Sequence, residues 1–159
     1  MNPTMVFIHG LESSSRGTKG AFFRKKYPEM IIEDFSGSFE KRMNRLQNLL
    51  HNKNNLLLVG SSYGGLMAAV YAFFNERDVK KLVLLAPALN LAEFTSCLDK
   101  KSHIPVMIFH GKYDDVVPPF SVHHVAQAVF TNLQHHIVED DHSLHNTFTH
   151  MDWDDLLTL

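Results

Sequence analysis

Short apolar runs recur along the chain at residues 5–9, 30–35, 56–60, 82–86, 106–110 and 136–139, alternating with stretches whose apolar residues return every three or four positions. Most of the runs are continuously apolar, as in Leu56-Leu57-Leu58-Val59 and Leu82-Val83-Leu84-Leu85. That suits parallel strands covered by helices on both faces, whereas a half-exposed strand would alternate. Residues 39–51 place Met43, Leu46, Leu49 and Leu50 on one helical face, and residues 62–75 do the same with Leu66, Ala69, Val70 and Phe73. Residues 121–131 carry Val122, Val125, Ala126 and Val129 at helical spacing behind the helix-opening Pro118 and Pro119. A last helix is expected over residues 144–157, burying Phe148, Met151 and Leu156. Alternating strands and helices predict an α/β three-layer sandwich of about six mostly parallel strands. With 159 residues, and no repeat or linker, residues 1–159 are expected to form a single domain.

Composition narrows the function classes. At 45% hydrophobic and 20% charged residues, the chain is neither a disordered segment nor a disulfide scaffold. A net charge of −2 with dispersed Lys and Arg supplies no field for a phosphate backbone, so no nucleic acid partner is expected. No apolar stretch reaches the length of a membrane span, so no membrane association is expected either. The single cysteine, Cys97, has no partner for a disulfide or a Cys-x-x-Cys motif and reads as a buried small hydrophobe in a reducing compartment. Met1-Asn2-Pro3-Thr4 leads into an apolar run without the charged region of a signal peptide, so a cytoplasmic location is expected.

The candidate chemistry lies at the ends of the apolar runs. Gly60-Ser61-Ser62-Tyr63-Gly64 matches G-x-S-x-G between a strand and a helix, which sets Ser62 on a tight turn as nucleophile and leaves Ser61 in a variable slot. The first run ends in His9-Gly10-Leu11-Glu12, where a sharp turn would aim the Leu11 amide toward Ser62. The Tyr63 amide, at the start of the nucleophile's helix, would be the second donor of an oxyanion hole. His9 is expected to support this loop. The fifth run leads into His110-Gly111-Lys112-Tyr113-Asp114-Asp115, placing two carboxylates at the edge where ligands gather in open α/β sheets. Either could be the acid of a triad, the other serving as a turn or cap residue. His142 stands on a loop after the last run at the same edge and is expected to be the general base, with His145 as the alternative. No H-E-x-x-H or paired-cysteine spacing accompanies Asp140, Asp141, His142 and His145, so a solvated acidic loop is expected there and no metal.

Taken together, His9-Gly10, Gly60-x-Ser62-x-Gly64, His110-Gly111-x-x-Asp114-x-x-Val117-Pro118 and a late His142 resemble the α/β-hydrolase superfamily across nearly the whole chain. The resemblance implies Asp114 as the triad acid, in the chain order Ser62, Asp114, His142. The opening His9-Gly10-Leu11-Glu12-Ser13-Ser14-Ser15 and the small size look like the compact YqiA-like bacterial esterases. Against the usual superfamily pattern the chain starts at what would be the third strand, and the segment at residues 88–105, where lids are inserted, holds one short helix. The resemblance therefore implies a minimal fold without a lid domain and an open site for small soluble acyl esters or thioesters, needing no cofactor. Thioester or C–C bond cleavage on the same triad, or a catalytically silent ligand-binding protein, are the alternatives. Leu66, Phe94 and Leu98 could line the acyl pocket.

Overall fold

The computed structural model describes residues 2–159 and contains one six-stranded sheet, entirely parallel, in the order β2-β1-β3-β4-β5-β6. The strands are β1 (Thr4–Ile8), β2 (Ile31–Ile32), β3 (Leu56–Ser61), β4 (Val79–Leu85), β5 (Val106–Gly111) and β6 (Leu133–Val138). The helices are α1 (Thr18–Lys26), α2 (Phe39–Leu50), α3 (Tyr63–Phe74), α4 (Pro119–Val129) and α5 (Trp153–Leu156), with short 3-10 turns at Ala92–Cys97 and Phe148–His150. No helix among the described residues is long and apolar enough to cross a membrane.

The continuous apolar strands are read out alternately to two cores, as strand geometry requires. Val6, Ile8, Leu56, Leu58, Leu82, Leu84, Val106 and Ile108 face one side, against Leu46 and Leu50 of α2, the apolar face of α3 and Val122 of α4. Phe7, Leu57, Val59, Val83 and Leu85 face the other, against Phe23 of α1 and the C-terminal Phe148, Trp153 and Leu156. The expected three layers are present, without a lid. Strand order reverses between β1 and β3, since the chain runs from β1 outward to β2 and then returns to β1's other side. At such a reversal the connections diverge to opposite faces and leave a crevice at the carboxyl ends of the strands.

Three elements differ from the sequence expectation. Helix α1 is unannounced by periodicity because it buries only Gly20 and Phe23. The run at residues 30–35 pairs with β1 through Ile31 and Ile32 alone; beyond them the chain turns away, and Asp34 accepts the Ser15 amide at 2.7 Å. The expected helix at residues 144–157 is broken. Trp153 Nε1 donates to the Phe148 carbonyl at 2.8 Å, and Asp152 caps a new start by accepting from the Asp155 amide at 3.1 Å.

Candidate functional site

Ser62 follows β3 directly and has φ 54° and ψ −116°. A side chain in that region costs on the order of 1–3 kcal/mol and persists only where neighbours over-determine it. They do so here. The Ser62 amide donates to the Leu85 carbonyl at the end of β4 (2.8 Å), while its own carbonyl accepts from Gly65, Leu66 and Ala88 at 3.0, 3.2 and 3.0 Å. Two residues on, Gly64 presses against the end of β1, and a Cβ there would overlap the Ile8 carbonyl oxygen. The turn is thus wedged between β1 and β4, with the Ser62 hydroxyl at the strand-order reversal.

His142 Nδ1 donates to Asp114 Oδ2 at 2.7 Å, which leaves Nε2 to accept the Ser62 hydroxyl at 3.0 Å. Ser62, His142 and Asp114 therefore form a continuous hydrogen-bonded chain. Asp114 is buried, and its other oxygen accepts the Val116 and Val117 amides at 2.9 and 2.8 Å. His110, fully buried, donates from Nε2 to Asp114 Oδ2 at 3.1 Å and to the Val117 carbonyl at 2.9 Å. Burial pushes the His110 imidazole below its ordinary pKa, opposed by the Val117 carbonyl and by Asp114, so a neutral ring donates this bond. Asp115, next in the chain, is exposed and outside the network.

The loop carrying His142 is built around Asp140. This carboxylate accepts the amides of Asp141, Asn146 and Thr147 at 2.8, 3.0 and 2.7 Å. Burial pushes its pKa up, but these bonds outweigh that and hold it below the usual carboxylate range. Asp140 is therefore a buried loop organiser, unlike the solvated residue expected from the sequence, because its carboxylate oxygens give three inward-turned amides charge-assisted acceptors. Asp141 pairs with the exposed His145 at 2.5 Å, and it is His142, not His145, that reaches the Ser62 hydroxyl. Of the four side chains in that loop, His142 thus turns to Asp114 and Ser62, Asp140 to backbone amides, and Asp141 and His145 to each other.

At the end of β1, His9 Nε2 accepts the Phe35 amide at 2.9 Å, so Nδ1 carries the proton and donates to the Gly10 carbonyl at 2.7 Å. His9 supports the loop, as expected. A Cβ on Gly10 would stand 3.4 Å from the Ser62 Cβ, which puts the His9-Gly10-Leu11 turn against the hydroxyl-bearing residue. The Leu11 and Tyr63 amides have no acceptor among the described residues.

A cavity of about 600 Å³ opens over Ser62 and His142, walled by Leu11, Leu91, Val116, Val117, Leu144 and Phe148. The residues expected to line an acyl pocket are not among its walls. Leu66 and Phe94 are 0% and 1% exposed in the core, because α3 turns Leu66 onto the sheet and Phe94 packs edge-on to Phe73. Leu98 is 44% exposed, outside the cavity. Two features of the site carry no sequence signal of their own role. His110 belongs to the His-Gly-x-x-Asp pattern and lies buried behind Asp114, and Lys19, which lines the cavity, lies on the helix that periodicity does not announce.

The family model described as "alpha/beta hydrolase fold" matches residues 10–104, more than half of the chain. No curated protein sequence matches. Among solved structures, mouse alpha/beta hydrolase domain-containing protein 10 superposes with a TM-score of 0.77 at 20% identity, over 99% of this chain and 92% of that one. Est1E from Butyrivibrio proteoclasticus gives 0.79 at 16% identity, over 98% and 86%. The monoacylglycerol lipase of Paleococcus ferrophilus gives 0.71 at 12% identity, over 98% and 95%. At such identities these likenesses concern the fold, while the family match rests on the sequence itself. The chain belongs to the α/β-hydrolase fold family.

Proposed function

We propose that this chain is a serine hydrolase that cleaves small acyl esters through an acyl-enzyme intermediate. The observation that carries the reading is the unbroken chain from the Ser62 hydroxyl to His142 Nε2 (3.0 Å) and from His142 Nδ1 to Asp114 (2.7 Å). As Ser62 Oγ attacks the acyl carbonyl, Nε2 takes its proton. The buried Asp114 carboxylate fixes the Nδ1–H tautomer and stabilises the imidazolium that forms. The Leu11 and Tyr63 amides, free of other acceptors, receive the tetrahedral oxyanion, the second of them aided by the positive end of α3. His142 then returns the proton to the departing alcohol, and water, activated in the same way, releases the acid.

The cavity of about 600 Å³ and its largely apolar walls suit a short acyl chain. A fluorophosphonate probe tests the reading directly. Stoichiometric labelling confined to Ser62, with turnover of short-chain esters, is the expected result. Folded protein that neither labels nor hydrolyses any of a graded panel of esters and thioesters would remove the enzymatic reading in favour of a ligand-binding one.

A further inference from the structure

Lys19 sits in the first turn of α1 and lines the same cavity as Ser62 and His142. Its Nζ donates to the carbonyl of Ser143, the residue after His142, at 2.7 Å and lies 5.3 Å from the centre of the Phe148 ring. No carboxylate among the described residues comes within ion-pair distance of it. The acids that bear on it electrostatically, Asp141 and Asp140, spend their oxygens on His145 and on loop amides. Burial lowers the Lys19 pKa, and those two carboxylates only partly restore it. The cavity wall thus holds a partly desolvated ammonium with N–H capacity that no protein acceptor uses. Glu12, the acidic residue on the same wall, is exposed and is not among the groups that bear on Lys19.

We propose that Lys19 is a specificity residue that binds an anionic group of the substrate, a carboxylate in the simplest case, so that charged esters are preferred over neutral ones. The inference rests on the serine-hydrolase reading above. A partly desolvated ammonium gains more from a carboxylate than an exposed one, because water competes less for both partners. A charge-assisted hydrogen bond of this kind corresponds to roughly tenfold or more in selectivity.

The test compares matched esters with and without charge. One arm carries it on the alcohol part, 4-acetoxybutanoate against 4-acetoxybutanamide. The other carries it on the acyl part, monomethyl glutarate against its terminal amide. The wild type should show a kcat/KM ratio, charged over neutral, of about ten or more in one of the arms. That ratio should shrink as ionic strength rises from about 0.01 to about 1 M. Lys19→Met should reduce it to near one, Lys19→Arg should restore most of it, and Lys25→Met, on an exposed part of α1, should leave it unchanged. Using a ratio cancels any general loss from disturbing the His142 loop. Binding of the same compounds to Ser62→Ala and to Ser62→Ala with Lys19→Met, followed by ligand-observed NMR, reads the site without turnover. A failure of the hydrolase reading would therefore show separately, as absent labelling and turnover with the binding preference intact. Ratios near one in both arms with no binding preference, or a preference that survives Lys19→Met, would overturn the proposal.

Discussion

Asp114 receives hydrogen bonds from two backbone amides and two imidazoles, and only one of the four donors belongs to the proposed proton-transfer path. Its replacement should therefore cost in two ways. Asp114→Asn should lower kcat by about 10³- to 10⁴-fold through loss of imidazole orientation. It should also lower stability by about 1–3 kcal/mol, because an amide placed among four donors leaves buried groups unpaired. Asp115→Asn, outside the network, should change neither. Parallel rate assays and urea titrations check this, and equal behaviour of the two variants would contradict the role of Asp114. The two serines separate in the same way. Ser62→Ala should reduce turnover by about 10⁴- to 10⁶-fold, while Ser61→Ala, at the last position of β3, should keep substantial activity. A reversal of the pair in a steady-state assay would move the nucleophile.

Among the elements, the turn after β5 and the loop after β6 have to touch for Asp114 to meet His142. Gly111 is where they do: a Cβ at this position would overlap the Asp141 carbonyl oxygen and lie 2.5 Å from that of Asp140. Backbone cannot yield as a flexible side chain can, so Gly111→Ala should push the His142 loop outward. Activity should fall by at least about 10²-fold, since displacing a catalytic group by about 1 Å has that effect. Activity and thermal melting measured together decide this, and an Ala variant with near wild-type turnover would show that the loop has slack. Such contacts explain what could be read from the chain. β3 and β4 were legible because strands buried on both faces are continuously apolar, and Ser62 because its turn needs small neighbours at fixed spacing. Helix α1 was not, since it covers the sheet chiefly through Phe23, and one aromatic makes no period. The cavity wall was misread for a related reason. Leu66 and Phe94 are apolar near the motif, but helix rotation, which sequence does not give in three dimensions, turns them into the core.

At the scale of the whole molecule, histidines rather than carboxylates should set the acid limit of the fold. His135 on β6 is pushed down to about 4 by burial and by His123, His110 and His136 around it. His110 is lowered in the same direction, chiefly by burial. His123 and His135 share a hydrogen bond between their Nδ1 atoms at 2.7 Å, which requires one of the two nitrogens to be unprotonated. In the unfolded chain these imidazoles titrate near 6.5. Between that value and about 4 the unfolded state binds protons that the native His135 refuses, so stability falls as pH falls through this window and is regained as pH rises. For His135 alone the change from pH 7 to pH 5 is about 2 kcal/mol, and His110 adds to it. Asp140 and Asp141, both held below the ordinary carboxylate range, act with the same sign but only below about pH 4. The two sources are therefore separated on the pH axis. Because the proposed mechanism also needs a proton acceptor at His142, activity alone cannot isolate this structural contribution. Urea unfolding of Ser62→Ala from pH 7 to pH 4.5 isolates the structural part, with a His135→Phe variant of the same protein as the comparison. The Ser62→Ala curve should slope across this range and the His135→Phe curve should be shallower; equal slopes would mean that native His135 takes up protons over the same range as in the unfolded chain.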